Sequence, residues 1–272
     1  MKIKIISGLL GSLLIVVLSA SSAYAQSTFS GFYGQLATGY ESNQLGSMSG
    51  TDRGSPNINT DINGSAPSQS FGGAPLILGL GYSWAVNEKW LLGFGVDYSV
   101  LAQSSNTFSH TLTNASGSSS IRSGDSVTPN GASMQISNRF NFFMSPSYVI
   151  DRDKSIYLKA GYSQVTAQYN RPTTVTLARG AASSSIPGVG GNQSSNQSGY
   201  LIGLGYKQNI AGGFYGFFEG NYMSYNAPSY TYNSIKVVET LNGISTANTK
   251  TTTASFSSLN SIQVLVGLGY SF

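Results

Sequence analysis

The chain has no cysteine and only one histidine among its 272 residues. Without cysteine there is no disulfide framework, and no thiolate to hold zinc or an iron–sulfur cluster. His110, in "TFSHTLT", has no acid beside it in sequence, whereas a general base needs an oriented partner. It is expected to be a solvated loop residue. No carboxylate cluster is dense enough for calcium, and "GVGG" at 188–191 lacks the lysine and helix of a phosphate loop. These absences point to a protein that is not an enzyme and carries no cofactor or metal.

Charge is also scarce. Asp, Glu, Lys and Arg make up 9% of the chain, against ~25% in ordinary soluble domains, and a soluble surface so thinly charged tends to associate. The formal +4 falls to +2 once Lys2 and Lys4 are set aside, too little to suggest a nucleic-acid partner. The one long apolar run, 5–18, follows those two lysines and precedes "SASSAYA". It is shorter than the ~20 residues of a helical span. Residues 1–25 therefore read as a secretory signal cut after Ala25, leaving 26–272 as a single domain. No cysteine follows the site, so a lipoprotein anchor is not expected.

What is present is period-2 alternation rich in glycine and aromatic residues. It predicts strands near 29–42, 74–86, 89–102, 132–150, 155–169, 198–208, 213–225 and 259–272. Tight connections ("NEK" at 87–89, "DRDK" at 151–154, "NIAGG" at 209–213) alternate with long ones near 43–72, 103–131, 170–197 and 226–258. Strict alternation of short and long is the signature of an all-β, eight-stranded antiparallel up-and-down transmembrane barrel, with three short periplasmic turns and four long extracellular loops. Closure also leaves no unpaired edge in lipid. In "LNSIQVLVGLGYSF" one parity reads Ile262, Val264, Val266, Leu268, Tyr270, Phe272; the other reads Ser261, Gln263, Leu265, Gly267, Gly269, Ser271. In 90–101 the large set is Trp90 to Val100, and the complement is Leu91, Gly93, Gly95, Asp97, Ser99 and Leu101. The large face is expected to meet lipid and the small or polar face the lumen.

The tetrapeptide "GLGY" occurs at 79–82, 203–206 and 267–270. Its tyrosines, Tyr82, Tyr206 and Tyr270, fall with Tyr148, Trp84, Phe32 and Trp90 at one strand-end level, and Tyr40, Tyr98, Tyr162 and Tyr222 mark the other. Eight residues at ~3.3 Å, tilted ~40°, rise ~20 Å, close to the ~25 Å band between aromatic girdles. Tyrosine suits such a boundary because one end of the ring is apolar and the other can hydrogen-bond. The glycines of "GLGY" face inward and leave room for large groups from elsewhere.

Beyond the signal, ten charged residues fall in the long loops and six in the turns, at Glu88, Lys89 and 151–154. The other six, Glu41, Asp97, Arg139, Lys159, Lys207 and Glu219, all have inward parity. Lysine or arginine on a lipid face at midplane costs ~2–4 kcal/mol, which explains the distribution. Three acids and three bases inside a narrow barrel form either an ion-pair network that fills the lumen or the lining of a narrow channel. The long loops, poor in charge and in aliphatic residues, are expected to be largely mobile, with "TVTLA" at 174–178 and "SIKVVETL" at 234–241 extending strands. An extracellular ligand would bind there.

The signal sequence, "SGFYGQLATGY" at 30–40, "LKAGYS" at 158–163 and the final Tyr270–Ser271–Phe272 together resemble the small outer-membrane β-barrel family, which includes the OmpA-like transmembrane domain and the opacity-type proteins. The resemblance covers the chain from residue 26 onward. It implies location in a Gram-negative outer membrane and contact with its lipids and lipopolysaccharide. Tyr270 and Phe272 would then serve as the signal read by the barrel-assembly machinery. No peptidoglycan-binding domain follows Phe272, so a cell-wall tether is not implied. The expected role is structural or surface-interacting, with a porin-like channel for small solutes as the alternative.

Overall fold

The computed structural model describes residues 27–53, 62–113, 126–179, 181–188, 190–241 and 244–272. The proposed signal, 1–25, lies outside them. The described chain is antiparallel β throughout, with no helix. Eight long strands carry the architecture: β1 (Gly31–Leu45), β2 (Leu76–Ala85), β3 (Trp90–Ser99), β4 (Ser133–Asp151), β5 (Lys154–Asn170), β6 (Asn192–Ala211), β7 (Phe214–Tyr225) and β8 (Leu259–Ser271). Each pairs with its neighbour in sequence, alternately across a long loop and through a tight turn, and β8 returns to β1. The pairings thus run in a ring, and none of the eight is left with a wholly free edge.

The three short turns explain themselves locally. Asn87 Oδ1 accepts the backbone N–H groups of Lys89 and Trp90, both at 2.9 Å. Asp151 Oδ1 accepts the N–H of Asp153 at 2.9 Å, which with neighbouring Lys154 holds its carboxyl below the usual range. Gly212 and Gly213 have φ of +56° and +87°, the left-handed pair that a two-residue hairpin demands.

The outer wall between the two strand-end levels is apolar: Leu80, Leu204 and Val266 are among many large side chains more than half exposed. The rings cluster at its margins. Phe32 meets Tyr82 edge-on at 4.8 Å, Trp90 meets Tyr148 at 5.2 Å, and Tyr270 meets Phe214 and Phe272 at 4.8 and 4.9 Å. At the other margin Tyr200 and Tyr222 lie 6.3 Å apart, Tyr222 donates to Asn260, and Tyr98 donates to Asn138. Tyr40, Trp84 and Tyr162 are exposed and Tyr206 is half-buried, so none of the eleven proposed girdle residues points inward.

Above the second margin the strands do not stop, and the expectation of largely mobile loops is corrected there. The described parts of the long loops form a second, eight-stranded antiparallel sheet. It is built from Met48–Arg53, Ile62–Ala66, Thr111–Thr113, Ser126–Asn130, Thr174–Arg179, Ala182–Pro187, Ser229–Leu241 and Ile244–Phe256. Low aliphatic content did not prevent folding, because threonine and serine pair well in strands and the few large residues converge on one core. Met134, Tyr169, Met223, Tyr230, Phe256 and Leu259 pack there, with Tyr169 stacked on Tyr230 at 5.5 Å.

Two local departures matter. Leu101 is exposed, not inward, because β3 ends at Ser99. In β4 the register slips between Ser137 and Phe140, and Asn138 adopts φ +50°. This bulge lets both Ile136 and Arg139 face inward although their spacing is odd. Asparagine is among the few non-glycine residues at home in that conformation, and Tyr98 and Thr166 hold its side chain.

Candidate functional site

The inward face of the ring carries a layer of buried charge. Its upper set forms around Arg139, which is 2% exposed. Nη1 pairs with the Glu41 carboxylate, Nε donates to the Tyr225 hydroxyl at 3.0 Å, and Nη2 donates to Asn43 at 3.1 Å and Ser261 at 3.0 Å. A planar guanidinium suits this position because its fixed fork serves partners on three strands at once. Glu41 also accepts from Asn43 and from Gln263, each at 2.8 Å.

The lower set forms around Lys159. Its ammonium pairs with Asp97, and with Glu219 at 2.9 Å. Glu219 further accepts from the Tyr157 hydroxyl at 2.7 Å and from Asn221 at 2.6 Å. Asn221 donates onward to Gln263 at 3.4 Å, so one amide joins the two sets. Two carboxylates around one ammonium leave a unit of negative charge, which the sixth residue balances from nearby.

That residue, Lys207, is where the expected network needs correction. Among the described residues it makes no ion pair. Its ammonium lies 4.7 Å from the ring centre of Tyr33, 5.0 Å from Tyr157 and 5.2 Å from Tyr215. Three aromatic faces replace a carboxylate, an arrangement whose attraction grows when water is excluded. The glycines of the repeated tetrapeptide make room for these rings. A Cβ on Gly81 would strike Tyr33, one on Gly205 would strike Tyr157, and one on Gly269 would strike Tyr215.

Apolar clusters lie on both sides of the charged layer. Toward the short turns lie Phe29, Leu91, Val149, Tyr215 and Phe217. Toward the long loops lies the core of Met134, Tyr169 and their neighbours. Sequence reasoning picked out the charged side chains and passed over the neutral ones that complete them: Asn43, Tyr157, Asn221, Tyr225, Ser261 and Gln263. For Asn43, Tyr157, Asn221 and Tyr225 the signal was parity shared with an inward charge on the same strand; for Ser261 and Gln263, on the uncharged β8, it was the inward parity alone.

His110 is not solvated as expected. It is 3% exposed, and its Nδ1 has no hydrogen-bond partner among the described residues. Burial pushes its pKa down to about 4, so it is neutral at ordinary pH. Among the described residues no three His, Asp or Glu side chains gather as metal ligands.

The sequence matches no family model and no curated protein. Among solved structures, the fold is similar to the outer-membrane protease OmpT of Escherichia coli, at 11% identity over 93% of this chain and 100% of that one, with a TM-score of 0.42. It is similar also to OprG of Pseudomonas aeruginosa, at 13% identity over 89% and 96%, with a TM-score of 0.38. The attachment invasion locus protein Ail of Yersinia pestis, solved with a heparin analogue, gives 13% identity over 86% and 99%, with a TM-score of 0.33. All three are outer-membrane proteins with different activities, and likeness at this level assigns none of them here.

Proposed function

We propose that this chain is a non-enzymatic, eight-stranded barrel of the bacterial outer membrane, with a structural or surface-interaction role and a lumen closed to solutes. Residues 1–25 would direct export, Tyr270 and Phe272 would engage the barrel-assembly machinery, and the apolar wall would sit among membrane lipids and lipopolysaccharide. The wall supports this reading: a continuous exposed band of Leu, Ile, Val and Phe, margined by rings, would aggregate in water and is at home in hydrocarbon. The sheet above it would then stand outside the cell and present the surface available to an extracellular ligand.

The observation that carries the closed lumen is the mutual satisfaction of the inward charges. Five of the six inward charges are ion-paired with one another, Glu41, Glu219 and Arg139 also bond neutral side chains, and the layer lies between two apolar clusters. A conducting path requires charged rings that face water. Here five of the six pair with one another and the sixth, Lys207, faces three aromatic rings.

Planar-bilayer recording tests the proposal. The purified full chain should insert without producing unitary currents. Stable unitary currents that vanish on changing Lys159 or Glu219 would replace it with a narrow channel.

A further inference from the structure

Above the second margin the ring parts at one place. Within the wall β6 and β7 pair from Gly199 and Tyr225 downward, and the last bond between them runs from the Asn226 N–H to the Ser198 carbonyl at 2.9 Å. Beyond it β6 keeps its register with β5 up to Asn192, but no strand among the described residues joins its other edge. The facing edge belongs to Ser229–Leu241, an end strand of the loop sheet that pairs only with Ile244–Phe256. Successive residues of an antiparallel strand turn their N–H and C=O groups to opposite sides. Since Ser198 turns its carbonyl toward β7, Asn192, Ser194 and Asn196 present theirs to the seam. Since Pro228 turns its carbonyl to the Phe256 N–H, at 3.0 Å, Ser229, Thr231 and Asn233 present theirs from the other side. Continued register would set Gln193 against Thr231. Instead only the Gln193 side chain crosses, its Nε2 donating to the Thr231 carbonyl at 3.1 Å. Its Oε1 is buried with no donor among the described residues.

Resting on the reading that the loop sheet stands outside the cell, we propose that this seam is a strand-addition site for an extended, acidic peptide segment of a partner protein. Two facing rows of alternating donors and acceptors match one kind of guest, a polypeptide backbone in the extended conformation. A saccharide lacks the two-residue repeat. The acidic character follows from the flanks. Arg171 lies with Cζ 5.4 Å from the Tyr232 ring centre. Among the described residues it has no carboxylate partner, and its buried Nε has no acceptor. The strands bordering the seam, Thr174–Arg179, Ser229–Leu241 and Ile244–Phe256, add Arg179, Lys236 and Lys250 against a single acid, Glu239. A carboxylate carried inward on the guest gives Arg171 a charge-assisted partner. The usable edge is short. The register of Ser229–Leu241 slips between Ser234 and Lys236, and bulges and edge lysines are devices that discourage pairing. Ser229–Asn233, below the slip, carries neither.

The test uses the full chain in detergent and a capped peptide of alternating threonine and glutamate, long enough to span Ser229–Asn233, with fluorescence anisotropy and hydrogen exchange as readouts. Wild type should bind it, and the amides of Ser194, Asn196, Thr231 and Asn233, fast to exchange without peptide, should slow by about tenfold or more. A threonine–lysine peptide, and the first peptide N-methylated at alternate residues, should each bind about tenfold more weakly. Arg171→Gln should remove most of the preference for glutamate over lysine. Thr231→Pro should abolish the slowing with an unchanged circular-dichroism spectrum, because that N–H is not used within the sheet and an edge tolerates proline there. No binding by wild type, or equal binding of the N-methylated peptide, overturns the proposal. So do amides already protected without peptide, which would mean that the seam closes on itself. Tighter binding of dextran sulfate than of the peptide, or a wild-type dimer that Thr231→Pro dissolves, would overturn it in favour of a different occupant. A chain that stayed folded and monomeric without detergent would instead defeat the membrane reading, whatever the peptide did, which separates the two failures.

Discussion

Strand β5 passes through two worlds without changing parity. In its lower part Ile156, Leu158 and Tyr162 point outward and are exposed, while Ser155, Lys159 and Ser163 point inward and are buried. In its upper part the inward residues are Val165, Ala167 and Tyr169, and the outward ones Thr166, Gln168 and Asn170. The same inversion occurs at the long-loop ends of β1, where Leu45 faces in beside Gln44, and of β8, where Leu259 faces in beside Asn260. Backbone geometry is continuous across the change, so the difference lies in what surrounds the wall. Where the outside is hydrocarbon, polar groups must find partners within; where it is water, the ordinary apolar core returns. On the membrane reading proposed above, the level of Tyr98, Tyr162 and Tyr222 would mark the boundary.

The two regions should therefore respond in opposite ways to the same kind of change. The largest effect is expected from Glu41→Gln in the buried charge layer, at the level of the boundary. It leaves Arg139 charged and buried without its counter-ion, which costs about 3–5 kcal/mol of unfolding free energy, read from urea titration of the barrel in detergent. Replacing both partners by Leu and Met should recover most of that loss. Breaking the solvent-exposed Asp151–Lys154 pair at 3.3 Å should leave the urea midpoint essentially unchanged.

A second comparison places one arginine on either side of the tyrosine level. Leu204→Arg, on the apolar wall, should destabilise by ~2–4 kcal/mol in vesicle refolding. Gln168→Arg, outward on the same wall but above the boundary, should change stability by no more than ~0.5 kcal/mol. Equal costs would erase the distinction between the regions.

The third prediction concerns the upper region alone. His110 has a folded pKa of about 4, below its usual 6.5. As pH falls below ~6.5 the unfolded loop takes up a proton that the folded one refuses, so stability is intact above that pH and is lost progressively down to ~4. The total is roughly 3 kcal/mol, confined to the loop sheet. Hydrogen exchange should show the amides of Ser126–Asn130 losing protection across that window while the amides of β7 do not. His110→Phe should abolish the difference.

Much of the ring was legible in sequence because its strands obey a two-residue period set by a simple external medium. The strand spans, the tight turns, the exposed aromatic residues and the inward parity of all six charges followed from that period. Loop folding was not legible, since a polar strand of Thr and Ser differs little in composition from a coil, and its pairing is decided by distant segments. The burial of His110 belongs to the same class of effect.

Sequence by itself determined which residues turn inward and which turn outward, because alternation is a property of the extended backbone and needs no knowledge of neighbours. Only tertiary structure decided which inward residues meet. The Asn138 bulge, the height of each strand in the ring and the space above three glycines together put Arg139 against Glu41 and Lys207 among tyrosines. Those partnerships join residues 98 apart in Arg139–Glu41 and, by 207 − 33, 174 apart in Lys207–Tyr33, and register between distant strands is fixed by packing rather than by local pattern.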